Sequence, residues 1–237
     1  MSATLLQQQM QRLGVRRLLV FSGATQWCEQ QAILFSAQSV GDWLWLSDSP
    51  PDGVTSCPPS AAHTLLGQDI FHGVFDARYG LNVEALAAFS GTLKAGSWLI
   101  LLIPEWHSWA DTPDADSLRW SEQPRPIPTP RFIRRFRSFL EQDSGITICR
   151  QGQPLTIAPL PAAPNWLSPD GQPTSEQSQI LKQLMQAQSG VWVLTAPRGR
   201  GKSTLAGMLV KHWPGTCRVT APAKASASQI LNQQTDS

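Results

Sequence analysis

The residues of this sequence that could do chemistry form a glycine-punctuated basic loop, 196–201, followed by Lys202 and Ser203. An apolar, β-branched run at 191–195, typical of a buried parallel strand, precedes the loop, and an amphipathic helix follows it. Glycines let backbone N–H groups curl around phosphate oxygens, and a helix N-terminus adds free donors and partial positive charge. The order strand, loop, helix therefore predicts a polyphosphate site. Lys202 is expected against the β- and γ-phosphates, and the Ser203 hydroxyl is expected to complete a Mg²⁺ shell.

The loop departs at one position from the usual phosphate-loop spacing, G-x-x-x-x-G-K-[ST]. Ala196 stands where the first glycine is usual, while Gly199 still supplies a flexible point within the loop. The alternative interpretation is a fortuitous G-x-G-K-S in a surface turn. The preceding strand, the following helix and the Lys-Ser pair together favour a nucleotide site, and the loop alone accommodates ATP or GTP.

Strand and helix patterns alternate from the start of the chain to about residue 158. Predicted strands lie at 16–23, 42–47, 71–76, 97–104 and 146–150, and predicted helices at 5–13, 25–37, 82–93 and 131–142, with a short helix around Leu65 and Leu66. The strands are nearly continuous apolar runs rather than alternating ones. This pattern favours an α/β fold, in which helices cover both faces of a parallel sheet.

Polar residues at two strand ends of this first domain could also form a site. The turn Ser22-Gly23 ends the first strand, where a doubly wound sheet binds its ligand, although a plain turn is the simpler interpretation. Asp76, Arg78 and His72 lie around the third predicted strand and could act together in catalysis. An Asp–Arg pair that closes a strand end is more often structural.

The helix 131–142 interleaves basic and aromatic residues. Thr129 is predicted to cap it, with Pro130 in its first turn. Its aromatic residues, predicted on the core face, are Phe132, Phe136 and Phe139, and its arginines, spread over the other sides, are Arg131, Arg134, Arg135 and Arg137. Such a helix could bind RNA phosphates, or it could be an ordinary solvated surface helix.

The composition divides the chain into two domains. Residues 1–158 are expected to form the N-terminal α/β domain, 159–173 a linker rich in Pro, Ala, Asn and Gly, and 174–237 the start of a second domain. In the second domain Ser175 is predicted to cap a helix, and a further strand is predicted at 218–221. That domain contains the phosphate loop.

Charge and cysteine content exclude several classes of protein. The 19 Lys and Arg residues nearly balance the 17 Asp and Glu residues, so that any nucleic-acid contact must use a local patch rather than bulk charge. The 4 cysteines are scattered without a close pair, which indicates neither zinc nor a disulfide framework. The N-terminus carries no signal sequence, and no apolar run is long enough to span a bilayer. We therefore expect a cytoplasmic protein with no membrane partner.

The second domain resembles helicases of RecA-like fold. The resemblance rests on Glu176-Gln177, on TAPRGRGKST (195–204) and on RVTAPAKAS (218–226). Segments of the whole chain narrow it to the bacterial tRNA(Met) cytidine acetyltransferase family: RRLLVFSG (16–23), GDWLWLS (41–47), FDARYG (75–80), FSGTLKAGSW (89–98), DADSLRW (114–120) and LAGML (205–209). The fold class implied is a parallel-sheet α/β domain followed by an incomplete RecA-like P-loop domain.

The resemblance implies an enzyme that uses acetyl-CoA and ATP to convert the wobble cytidine of elongator tRNA(Met) into N4-acetylcytidine. It implies that Gln177 contacts the adenine. It also implies a nucleotide site made of Gly199, Arg200, Gly201, Lys202, Ser203 and Thr204 around the phosphates, with Leu205, Ala206, Gly207 and Met208 on the helical turns behind them. Ser203 would reach Mg²⁺ through the nucleotide.

This family also carries an acidic Mg²⁺ strand, an arginine finger and an acetyl-CoA site, which we expect beyond residue 237 in the parent enzyme. The sequence is accordingly expected to be an N-terminal fragment that holds the nucleotide loop and no catalytic acetyltransferase residue. Two alternatives stay open at this point. One is a RecD-like helicase fragment, and the other is a stand-alone module that binds nucleotide or RNA without chemistry.

Overall fold

The chain divides into two compact units, Met1–Trp166 and Leu167–Ser237. The computed structural model describes residues 3–160, 172–196, 200–221 and 224–232. The helices of the first unit are α1 (Ala3–Arg12), α2 (Thr25–Ser36), α3 (Val83–Ser90) and α4 (Pro130–Gln142), with 3₁₀ helices at Pro59–Leu65, Trp109–Asp111 and Ala115–Arg119. Its strands are β1 (Arg17–Ser22), β2 (Trp43–Leu46), β3 (Ser56–Cys57), β4 (His72–Asp76), β5 (Trp98–Ile103) and β6 (Thr147–Arg150). No helix among these described residues is long and apolar enough to cross a membrane.

The six strands form one sheet in the order β3-β2-β4-β5-β1-β6, and every neighbouring pair is parallel. The predicted parallel α/β fold is confirmed. The sequence pattern missed β3, because its two residues lie in a proline-rich segment and pair only with β2. The edge strand β6 lies where the sequence predicted it.

Helices cover both faces of this sheet, which explains why its central strand β5 is apolar along its whole length. In β5, Leu99, Leu101 and Ile103 face a core shared with α3 and α4. Ile100 and Leu102 face the other core, which is shared with α1 and α2. A strand covered on both sides has no solvent face on which polar residues would be favoured.

Two predicted helix details of the first unit have different outcomes. The Asn82 side chain accepts a hydrogen bond of 2.9 Å from the backbone N–H of Ala85, so the predicted cap of α3 is confirmed. At α4 the predicted positions are confirmed, with Thr129 at the N-cap and Pro130 in the first turn, but the Thr129 side chain does not contribute to the cap. Thr129 makes no capping bond, and its buried hydroxyl has no hydrogen-bond partner among the described residues.

The predicted core face of α4 is wrong in part. Ile133 and Leu140 are the buried residues, whereas Phe136 is half-buried. Phe132 is 44% exposed and Phe139 is 54% exposed. Ile133 and Leu140 are seven positions apart and define one helix face, and the two outer phenylalanines lie on its flank rather than on it.

The described helices of the second unit are α5 (Ser175–Gln186), α6 (Lys202–His212) and α7 (Lys224–Asn232). The residue that caps α5 is Thr174, not Ser175 as predicted. Its hydroxyl accepts from the backbone N–H of Gln177, whose side chain in turn accepts from the Thr174 backbone N–H. This reciprocal pair satisfies two donors that a helix N-terminus otherwise leaves free.

The two strands predicted in the second unit, 191–195 and 218–221, are absent from the described residues. Val191 is 93% exposed and Val193 is 80% exposed, although both belong to an apolar run. A parallel strand exists only when a neighbour accepts and donates its backbone hydrogen bonds, and the described part of this unit provides no such neighbour. The apolar runs 191–195 and 218–221 thus have the pattern of strands, but among the described residues no neighbouring strand pairs with them.

The imidazole of His72 connects three segments in the interior of the first unit. Its Nδ1 accepts a hydrogen bond of 3.0 Å from the backbone N–H of Trp98, and its Nε2 lies 3.1 Å from the carbonyl oxygen of Val40. Because a carbonyl only accepts, the single imidazole proton must lie on Nε2. The ring also stacks on Trp43, with centroids 4.5 Å apart. This arrangement requires the neutral imidazole, and burial lowers the pKa of His72 more than the Val40 carbonyl raises it.

We expect the first unit to lose stability as the pH falls below 6.5, the ordinary pKa of histidine. In this range the unfolded imidazole takes up a proton while the folded one does not, so the free energy of unfolding falls until the pH passes the lowered pKa of folded His72. Urea unfolding at about pH 7.5 and about pH 5.5 measures the difference. His72→Gln keeps a donor and an acceptor without titrating and should flatten this dependence. An unchanged pH dependence in the variant would contradict the assignment.

Candidate functional site

The predicted phosphate loop is followed by helix α6, which is capped by a glycine that no other residue replaces easily. Gly201 has a φ of +74°, in the left-handed region, and forms the N-terminal cap of α6. A Cβ atom at this position would lie 2.5 Å from the side-chain nitrogen of Gln177. The positive φ therefore favours glycine here, whereas the Gln177 amide lies at the end of a flexible side chain that can move aside.

Lys202, the first residue of α6, bends back across the loop. Its ammonium group donates a hydrogen bond of 2.7 Å to the carbonyl oxygen of Ala196, at the start of the loop. The ammonium thus lies within hydrogen-bond distance of the first residue of the predicted loop. A phosphate bound in the loop would compete with this carbonyl for the ammonium protons.

Gln177, which the resemblance assigns to the adenine, lies beside Gly201, and each end of its amide makes one hydrogen bond. Its oxygen accepts from the backbone N–H of Thr174 at 2.9 Å. Its nitrogen donates to the carbonyl oxygen of Gly201 at 3.4 Å, a long hydrogen bond. A second N–H and a second oxygen lone pair of this amide remain for contact with an adenine edge.

The remaining loop residues divide into an exposed group and a packed group. Arg200 and Ser203 are exposed and Thr204 is half-buried, so that all three lie at or near the surface beside Lys202. Leu205 and Gly207 are buried, and Ala206 and Met208 are half-buried, which places 205–208 in the packing of α6 behind the loop. Gly199 lies outside the described residues.

The polar residues predicted around β4 do not form one site, because they lie at opposite ends of that strand. The Asp76 carboxylate accepts bonds of 2.7 Å and 2.8 Å from the Arg78 guanidinium and one of 2.7 Å from the Ser47 hydroxyl. Arg78 also donates to the carbonyl oxygen of Thr25 and pairs with the Glu29 carboxylate at 3.2 Å. Burial acts to lower the pKa of Arg78, but these two carboxylates outweigh it and raise the net pKa. The saturated bonding supports the structural interpretation.

The turn after β1 is closed in the same way. The Ser22 hydroxyl donates to the carbonyl oxygen of Pro104 at 2.7 Å, and the side chain of Gln151 accepts from the backbone N–H of Ala24 at 2.8 Å. A Cβ atom on Gly23 would lie 2.7 Å from Gln151. Neighbouring side chains thus fill the crevice where a doubly wound sheet binds ligands, which favours the plain-turn interpretation of Ser22-Gly23.

One cluster beside α4 was missed in the sequence. The guanidinium groups of Arg137 and Arg150 lie 4.9 Å and 4.6 Å from the ring centre of the buried Trp106. Glu141 accepts from the Trp106 indole at 3.2 Å and from Arg150 at 2.9 Å. No spacing in the sequence indicated this cluster, because the pairing of β6 with β1 brings Arg150 beside α4. Arg137 is consequently part of the packing, whereas Arg131, Arg134 and Arg135 are exposed.

Two protein families match the chain, one in the first unit and one in the second. The family described as "tRNA(Met) cytidine acetyltransferase TmcA, N-terminal" matches residues 2–151. The family described as "RNA cytidine acetyltransferase NAT10/TcmA, helicase domain" matches residues 193–236, which include the loop and α6. The helicase-domain match supports the RecA-like assignment of the second unit, although its described residues form no strand.

Curated relatives carry the same description. A protein of Yersinia pestis (strain D106004) named tRNA(Met) cytidine acetyltransferase TmcA is 58% identical over 96% of this chain and 32% of its own length. Proteins of the same name from Pectobacterium atrosepticum and Haemophilus influenzae are 57% and 37% identical, over 96% and 73% of this chain and 32% and 26% of their own lengths. The chain thus spans about a third of the length of the first of these relatives. With more than half of its residues matched by the N-terminal family, the chain belongs to the tRNA(Met) cytidine acetyltransferase TmcA family.

Proposed function

We propose that this chain is the N-terminal part of an enzyme that acetylates the wobble cytidine of elongator tRNA(Met) to N4-acetylcytidine in the cytoplasm, with ATP and acetyl-CoA. Within it we propose the division predicted from composition: an α/β domain (1–158), a linker (159–173) and the start of the nucleotide-binding domain (174–237). The observation that carries the proposal is the assembly of Gly201, Lys202 and Gln177 at one helix N-terminus, in a segment matched by the helicase-domain family. The family match favours this function over the RecD-like alternative.

The proposed chemistry of these residues follows from their charge and position. Lys202 would hold the β- and γ-phosphates of ATP, Ser203 would ligate Mg²⁺ through the nucleotide, and Gln177 would contact the adenine. Hydrolysis of bound ATP would supply the free energy to position the tRNA. Positioning matters in this reaction because the cytosine N4 lone pair is delocalised into the ring, which makes the amine a weak nucleophile.

A chimera tests the proposed function. Residues 1–237 of this chain are joined to the remaining two thirds of the Yersinia pestis relative, and N4-acetylcytidine is measured on tRNA(Met) with ATP and acetyl-CoA. We expect product that depends on both small molecules. The Yersinia pestis protein itself is the positive control. Failure of the chimera, when it folds and the control is active, would contradict the proposal.

We further propose that α4 contributes phosphate contacts to the tRNA. Arg131, Arg134 and Arg135 are exposed on this helix, and the surrounding chain is nearly neutral, so they form a local positive patch. Arg134 shares its charge with Asp111 at 3.4 Å, an exposed and weak pair. These three guanidinium groups are therefore available to a polyanion at little cost.

Replacing these three arginines by glutamine should weaken tRNA binding and reduce its salt dependence. Each phosphate contact that is lost lowers the slope of log affinity against log salt concentration by about 0.7–0.9. Binding of tRNA(Met) at several salt concentrations measures the slope. The control variant Arg12→Gln/Lys94→Gln removes two other exposed basic residues and should leave the slope unchanged. An unchanged slope in the α4 variant would identify α4 as an ordinary solvated helix.

A further inference from the structure

Two phenyl rings remain exposed on the outward side of α4. Phe132 and Phe139 are seven residues apart, so their Cα atoms are separated by two helical turns, about 10 Å. Both rings are roughly half exposed, while Ile133 and Leu140 bury the inward side of the helix. Single exposed apolar residues need no explanation, but two aligned aromatic rings between arginines form a defined surface.

The first ring is held by a chain of aromatic contacts that leads into the core. Phe132 stacks on Phe136, with ring centres 6.0 Å apart and planes 10° from parallel. Phe136 meets the buried Trp109 edge-on, with centres 6.0 Å apart. Phe132 therefore presents a supported face to solvent and loses little side-chain freedom when a flat group stacks on it.

The second ring is associated with an arginine that lies between the two phenylalanines. The guanidinium carbon of Arg135 lies 5.1 Å from the centre of the Phe139 ring. Arg131 is exposed one turn earlier on the same side of the helix. Neither Arg131 nor Arg135 forms an ion pair with a carboxylate among the described residues. Flat apolar surfaces thus alternate with cations whose charge is not neutralised.

We propose that this outward side of α4 binds a single-stranded segment of RNA, with unpaired bases stacked on Phe132 and Phe139 and phosphates beside Arg131 and Arg135. The inference rests on the proposed RNA-binding function of α4 and adds the kind of RNA that it recognises. Unpaired bases stack on aromatic rings and on guanidinium planes, whereas the bases of an RNA duplex are stacked on one another. The separation of the Phe132 and Phe139 Cα atoms, about 10 Å along the helix, is about three times the ~3.4 Å spacing of stacked bases along one strand. The surface therefore fits bases that are splayed apart.

The charge pattern argues against an apolar protein segment as the occupant. Docking of such a segment would desolvate the Arg131 and Arg135 guanidinium groups, which have no carboxylate partner on this surface. A nucleic-acid strand supplies a phosphate for each cation and a planar base for each ring. The arginines and the phenylalanines would then contact the same ligand.

The test uses this 237-residue chain with two probes, a fluorescein-labelled oligoadenylate and an RNA duplex of equal length. We expect tighter binding of the single strand. Phe132→Leu/Phe139→Leu keeps the apolar side chains and removes the rings, and it should weaken single-strand binding by roughly five- to a hundredfold for each stacked base. The salt slope of binding should stay unchanged in this variant, because no charge is removed.

Two further variants separate the possible outcomes. Leu34→Ala removes an exposed apolar side chain from α2, on the opposite face of the sheet, and should bind like the wild type. Arg131→Gln/Arg135→Gln should reduce the salt slope. The stacking proposal would be overturned by wild-type affinity of the double phenylalanine variant, or by equal affinity for duplex and single strand. If the arginine variant still showed a reduced salt slope, α4 would remain a phosphate-binding helix. Wild-type binding by both double variants would overturn the RNA function of α4 altogether.

Discussion

Replacing Lys202 by alanine should lower nucleotide affinity by roughly ten- to a hundredfold without unfolding the second unit. The variant loses a charge-assisted contact to phosphate, worth about 1.5–3 kcal/mol, and keeps the backbone donors of the loop and the N-terminus of α6. The hydrogen bond from the ammonium to Ala196 lies within the same loop, so its loss should leave the packing of α6 behind the loop intact. Titration of this chain with a fluorescent ATP analogue measures the affinity.

The control for this prediction is Lys211→Ala, in the last turn of the same helix. It removes the same charge from the end of α6 remote from the loop and should leave nucleotide affinity unchanged. In the chimera with the Yersinia pestis relative, ATP hydrolysis should fall with affinity in Lys202→Ala. If hydrolysis is lost and N4-acetylcytidine still forms, the loop assignment holds and the coupling of ATP turnover to acetyl transfer does not. Wild-type affinity in Lys202→Ala would contradict the phosphate-loop assignment.

Replacing Arg78 by methionine should destabilise the first unit by about 3–5 kcal/mol, because it leaves a buried carboxylate without its cation. The side chains of Asp76 and Arg78 are 4% and 2% exposed and form two hydrogen bonds with each other. Without Arg78, Asp76 keeps only the Ser47 hydroxyl and one backbone N–H as donors. Chemical denaturation of the wild type and the variant measures the change in the free energy of unfolding.

A surface pair in the same unit provides the matched control. Arg119 bonds to Asp116 and Glu84 in a similar way, but its side chain is 46% exposed. Arg119→Met should therefore cost less than about 1 kcal/mol. The double variant Asp76→Asn/Arg78→Met should recover part of the stability lost in Arg78→Met, since it removes the stranded charge. If Arg78→Met and Arg119→Met lowered the free energy of unfolding equally, burial of the Asp76–Arg78 pair would not contribute to stability, and the prediction would be wrong.

The parallel sheet of the first unit followed from its sequence because its central strands contain nearly continuous apolar runs rather than alternating ones. Residues 97–104 predicted a strand covered on both faces, and β5 has a core on either side. The sequence also predicted the helix cap at Asn82, because that side chain accepts a hydrogen bond from a residue only three positions along the chain. The short strand β3 could not be predicted, because only its pairing with β2 defines it.

Residue types and spacing by themselves predict the phosphate loop, because G-x-G-K-S before a helix is a pattern of contiguous residues. Contacts between distant segments decided the remaining features. Gln177 reaches the loop because α5 packs against Gly201, and Arg150 joins Trp106 because β6 pairs with β1. The sequence placed three phenylalanines of α4 in the core, whereas packing buried Ile133 and Leu140 and left two rings outside. Periodicity identifies an amphipathic helix, but the neighbouring side chains that already fill the core determine which of its faces is covered.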